Sequence, residues 1–116
     1  MCVIDEHNHQ KLFIAWCRKH YPAVPVFAIP NGGSRGVAEA KRLQDEGVLA
    51  GIPDLLFADG NPGLFIEMKE PLKGRLQKVQ KDMIEILKTN GYPVAVCFGY
   101  EAAKQALINY IGDKSE

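Results

Sequence analysis

The sequence predicts an α/β domain with a mixed central sheet flanked by helices. Three observations predict it. Helical periodicity marks both ends and one central stretch. Short apolar or β-rich runs lie between them, bounded by Gly and Pro. The resulting order is helix, strand, short helix, two strands, helix, strand, helix, which has to close as helices packed on a sheet. The 116 residues suffice for one core, so a single domain over 1–116 is expected.

Residues 5–20 form the first expected helix. At about 100° per residue, Glu6, Gln10, Phe13 and Cys17 fall in one narrow stripe beside His9, Ile14 and Trp16, so a carboxylate and an amide share the burying face. His7 and His9 point their rings to different sides of such a helix, so they read as solvent-exposed histidines and not as a metal pair. "AVPVFAIP" (23–30) is β-rich and bounded by prolines, as a strand would be. "NGGSRG" (31–36) is a loop that lacks the GxxxxGK[ST] of a nucleotide cradle, so no nucleotide cofactor is expected. Val37–Glu46 is a short helix stopped by Gly47.

"GIPDLLFADGNPGLFIEMKE" (51–70) follows. Its two apolar runs, Leu55–Ala58 and Gly63–Met68, read as a hairpin around "DGNPG". Alternation puts Leu64, Ile66 and Met68 on one face and Phe65, Glu67 and Lys69 on the other. "RLQKVQKDMIEILKTNG" (75–91) has an apolar arc of Leu76, Val79, Met83, Ile84, Ile86 and Leu87, with Gly91 as its stop. Gln80 is the polar exception inside that arc. "YPVAVCFG" reads as a buried strand, and 100–111 as a last helix with Ala103, Leu107 and Ile111 in register.

Composition excludes several classes. The chain is 47% hydrophobic and 24% charged, as folded domains usually are. Fourteen Lys+Arg balance fourteen Asp+Glu, which gives no global pull toward nucleic acid. A local basic face is still available from Arg35, Lys41, Arg42, Lys73, Arg75, Lys78 and Lys81. No uncharged stretch is long and apolar enough to span a membrane, and the start "MCVIDEHNH" carries no secretory signal. Cys2, Cys17 and Cys97 are odd in number and widely spaced, as expected of reduced thiols in a cytoplasmic protein.

Asp54 opens one strand of the hairpin, and Glu67 and Lys69 close the other. Strand ends of this kind converge, and two nearby carboxylates repel unless a cation sits between them or one is protonated. Mg²⁺ or Mn²⁺ suits such a pair, with the carbonyl of Met68 as a further oxygen ligand. Lys69 on the same face can orient a water and hold charge growing on phosphorus. That combination fits phosphodiester hydrolysis.

"PD" at 53–54 and "EMK" at 67–69 match the PD-(D/E)xK nuclease pattern. The blocks "IPNGGSR", "EGVLAGIPDLLF", "GLFIEMKEPLKGRLQKVQ" and "GYPVAVCFG" resemble the VRR-NUC family, the virus-type replication-repair nuclease domain, over about residues 5 to 111. The resemblance implies a restriction-endonuclease-like core and Mg²⁺- or Mn²⁺-dependent cleavage of branched DNA. It further implies a stand-alone homodimer that resolves Holliday (four-way) junctions inside a bacterial or phage-infected cell. It makes Asp54 and Glu67 metal ligands, Lys69 the catalytic lysine, Gln80 the glutamine of the following helix, and Glu6 the acid of the first helix, at the metal. For a nuclease, Arg35, Lys73, Arg75 and Lys78 become the expected DNA contacts. Two other readings predict different behaviour. A monomeric flap or single-strand endonuclease would not make paired nicks, and a non-catalytic DNA-binding module would bind without turnover.

Overall fold

A computed structural model describes residues 5–31 and 36–114. Helix α1 (Glu6–His20) starts at Asp5, whose carboxylate accepts the Asn8 N–H at 2.9 Å. Its first turn holds Glu6 and its last Arg18, Lys19 and His20, charges that oppose the helix dipole at each end. Strand β1 is Val26–Ala28, shorter than the expected 23–30. A turn in which Val24 N–H donates to Tyr21 O consumes its beginning, and Pro30 follows its end. Helix α2 (Val37–Asp45) ends before Gly47, whose φ of 109° suits glycine.

Strands β2 (Leu55–Phe57) and β3 (Leu64–Lys69) form the expected hairpin. Helix α3 (Lys78–Thr89) and strand β4 (Val94–Phe98) follow, and α4 (Tyr100–Lys114) ends the described chain. The four-stranded sheet runs β1-β2-β3-β4. β1 and β3 are antiparallel to β2, while β3 and β4 are parallel. Such a parallel pair needs a crossover, and α3 provides it. No described helix is long and apolar enough to cross a membrane.

Leu55, Phe57, Leu64, Ile66, Met68 and Cys97 bury one face of the sheet against Phe13 and Cys17 of α1 and Ala103 and Leu107 of α4. Each large apolar side chain in that layer stabilises the fold by roughly 1.5–3 kcal/mol. The hairpin turn is tied to α4 by Tyr110, whose hydroxyl accepts the Gly63 N–H at 3.0 Å and lies 2.7 Å from Asp59 Oδ1.

The opposite face carries Phe65, Glu67 and Lys69, with α3 over part of it. Here three expectations change. α3 begins at Lys78 instead of 75, because Gln77 takes the extended N-cap conformation and forms a reciprocal capping box with Gln80. Of its apolar arc only Ile84 is buried, while Val79 and Ile86 stay about half exposed. β4 is an edge strand and not a fully buried one: Cys97 is buried, but Val96 and Phe98 face outward. One helix does not cover this face.

Candidate active site

β2 and β3 pair with Leu55 opposite Ile66, so continuing the ladder by one residue sets Asp54 opposite Glu67 on the face away from the core. The sequence produces this convergence through alternation alone: the apolar residues go to α1 and α4, and the charges go the other way. Asp54 is further fixed from both sides. Its carbonyl accepts the Ile29 N–H at 2.8 Å, and its Oδ2 accepts the Met68 N–H at 2.8 Å.

Glu67 is 1% exposed. Its Oε1 accepts Gln80 Nε2 at 2.8 Å and pairs with Lys69 Nζ at 3.4 Å. Its Oε2 is fully buried with no hydrogen-bond partner among the described residues. Burial, then the Asp54 carboxylate, raises the Glu67 pKa to about 7, against the pull of Lys69. Burial likewise raises Asp54, opposed by the Met68 amide and Lys69. These are three charges held in one small volume, and the negative ones dominate.

Gln80 links two elements. Its Oε1 accepts the Gln77 N–H at 2.9 Å, closing the start of α3, and its Nε2 reaches Glu67. The amide that interrupts the apolar arc therefore orients a carboxylate. Glu6 stands in the first turn of α1, where burial and then the Asp54 carboxylate raise its pKa, opposed by Lys69. It shares the field of the site, yet among the described residues no three His, Cys, Asp or Glu side chains converge as a metal cluster. Met68 buries its side chain in the core. Phe65 N–H donates to Pro93 O toward β4, so alternation turns the carbonyl of Met68 to the opposite edge, beside Asp54.

The remaining sequence candidates lie around this centre. Lys73 and Arg75 are exposed on the segment between β3 and α3. Lys78 is exposed and paired with Asp82 at 2.8 Å. Arg35 lies outside the described residues.

Several residues at the site escaped the sequence reading. Glu70 accepts the Leu72 N–H at 2.9 Å and also the Lys73 N–H, locking the turn after Lys69; "EPLKG", an acid ahead of Pro and Gly, was the available signal. Gly51 lies against Val79, where a Cβ would stand 2.6 Å from the carbonyl oxygen. His9 is not simply solvent-exposed: its Nδ1 accepts the Tyr100 N–H at 2.9 Å and caps α4. A groove of about 450 Å³ lined by Asp5, Glu6, Glu70, Leu72, Lys73 and Gly74 runs alongside.

The donor set fits a hard divalent cation. Two oxygen-bearing side chains face one another across a hairpin, and a buried carboxylate oxygen has no hydrogen-bond partner among the described residues.

A mixed sheet with PD at the head of one strand and ExK at the end of its antiparallel neighbour is the arrangement of PD-(D/E)xK nucleases. The family model of the VRR-NUC domain matches residues 5–101, and the chain belongs to this family of nuclease domains. A solved structure described as a VRR_NUC domain protein shares the fold, with a TM-score of 0.79 and 24% identity over 97% of this chain and 92% of that one. No curated protein matches the chain.

Proposed function

We propose that the protein is a divalent-metal-dependent, structure-specific DNA endonuclease that hydrolyses phosphodiester bonds at branch points and resolves four-way junctions as a homodimer. The observation that carries this reading is the buried Glu67 carboxylate, oriented through Oε1 by Gln80 and Lys69 and, among the described residues, unpartnered at Oε2.

Asp54, Glu67 and the carbonyl of Met68 are the groups that would hold Mg²⁺ or Mn²⁺, with Glu6 adding negative charge at the rim. When bound, the ion supplies Lewis acidity to a phosphate oxygen and to the attacking water. The chain's own residues supply the rest. Lys69 orients the water for in-line attack on phosphorus and stabilises the negative charge that grows there. Gln80 holds Glu67 in one rotamer, so the free oxygen keeps its aim. As the water oxygen bonds to phosphorus it gives up a proton to solvent, the bond from phosphorus to the leaving sugar oxygen breaks, and that oxygen takes up a proton from solvent.

Lys73, Arg75 and Lys78, with Arg35, are the proposed phosphate contacts. They read backbone position and not base identity. For the homodimer, α2 and α4 are the two candidate seams. We assign it to α2, which has no buried residue and packs against no other described helix or strand. Two-fold symmetry then spaces two active sites for paired nicks.

The test is cleavage of a labelled four-way junction and a matched linear duplex with Mg²⁺ or Mn²⁺, by wild type and Lys69→Ala. Paired, symmetric cuts in the junction that vanish in the variant are expected. Equal cleavage of both DNAs would remove the branch specificity. Binding of the junction by folded protein with no cleavage under either metal would refute the enzyme and leave a binding module.

A further inference from the structure

We propose that Leu72 is an apolar wedge that enters an opened base step at a DNA branch point, and so sets the preference of the site for branched over continuous duplex. The inference rests on the nuclease reading above. Leu72 is 75% exposed and stands three residues beyond Lys69, on the wall of the groove that Glu6 and Glu70 also line. A single exposed aliphatic residue is ordinary on a protein surface. The way this one is held is not.

The turn that carries it is fastened from three directions. The Glu70 carboxylate accepts the Leu72 and Lys73 N–H groups, and the Glu70 carbonyl accepts the Gly74 N–H at 2.9 Å. At Gly74 there is no room for a side chain: a Cβ would meet the Glu70 main chain and stand 2.8 Å from Lys69 Cβ. Pro71 presses on the turn between β4 and α4, where a Cβ at Gly99 would lie 2.9 Å from Pro71 Cγ. The amides of residues 72–74 thus have partners inside the turn, and the Leu72 side chain projects from it.

Apolar side chains inserted between bases unstack them, and the cost is least where stacking is already interrupted. A branch is such a place. A rigid turn presents the wedge without an ordering cost at binding, and Lys73 and Arg75 beside it suit the phosphates that flank the opened step. Selectivity for branches then follows without any base-reading element.

The experiment uses a four-way junction with 2-aminopurine next to the branch and a remote dye, with a matched linear duplex as the second probe. Ca²⁺ replaces Mg²⁺ so that the DNA stays intact. Anisotropy of the dye reports binding, and 2-aminopurine fluorescence reports unstacking. Wild type and Leu72→Met are expected to raise the fluorescence of the junction on binding. Leu72→Ala, with unchanged thermal stability, is expected to bind without that rise and to lower the junction-to-duplex affinity ratio about tenfold, the worth of one leucine side chain leaving water. Binding by wild type without a rise, or a rise that survives in Leu72→Ala, overturns the wedge and leaves the nuclease reading standing. No binding of either DNA by wild type overturns both.

Discussion

At Glu67, protonation and the proposed cation would compete for the same oxygens. Its carboxyl ordinarily titrates near 4.5 and here near 7, from burial and then the Asp54 carboxylate. In the metal-free protein the folded state therefore binds more protons than the unfolded chain between those values. Stability is expected to fall as pH rises from about 5 to 8, by on the order of 2–3 kcal/mol, and to level off above. Asp54 and Glu6, both raised, act with the same sign. Urea midpoints in EDTA across that range check this, and Glu67→Gln should flatten the slope. Below pH 7 a divalent cation must displace the proton, so its apparent affinity falls by up to about tenfold per pH unit. Gln80→Ala removes the 2.8 Å bond to Glu67. Losing a hydrogen bond to a charged group costs about 1.5–3 kcal/mol, so single-turnover cleavage should drop at least tenfold and need more Mg²⁺.

Among the elements, the loop before β2 and the first turn of α3 are set by each other. Gly51, at φ 81°, lies against the Val79 carbonyl, one residue before Gln80 and three before Asp54. Gly51→Ala is expected to lose about 2–3 kcal/mol of stability in urea, and to lose more activity than that destabilisation explains, because Asp54 and Gln80 both shift. This coupling also marks where sequence reading stops. Strand alternation placed Glu67 and Lys69 on one face, and helical phase turned Gln80 inward, because both follow from local periodicity. The burial of Phe13, Cys17, Ala103 and Leu107 was legible for the same reason. The late start of α3 was not, since it depends on a cap made by side chains at Gln77 and Gln80. Nor was the role of His9, whose partner lies 91 residues away. Val79 and Ile86 fit an apolar arc by helical phase, yet each stays about half exposed among the described residues, because how much of a face a neighbour covers is a tertiary matter.

For the whole molecule, balanced charge makes DNA binding a local matter. If Lys73 and Arg75 contact phosphates, replacing both with Ala should make the log–log salt dependence of junction binding shallower by about 2, as anisotropy titrations at several salt concentrations would reveal. The core itself offers a different kind of access. Cys17 on α1 and Cys97 on β4 are almost wholly buried, and burial pushes their thiols up to about 12 and 11. Neither can react with a disulfide reagent until the layers between α1, α4 and the sheet part. With Cys2 replaced by serine, the rate of thiol labelling becomes a clock for opening of the native state. A cation that binds only the closed protein must slow that clock in proportion to its occupancy. Two inert sulfur atoms on the far side of β3 can thus weigh the proposed affinity of the carboxylates for Mg²⁺, with no DNA in the tube and no bond cut.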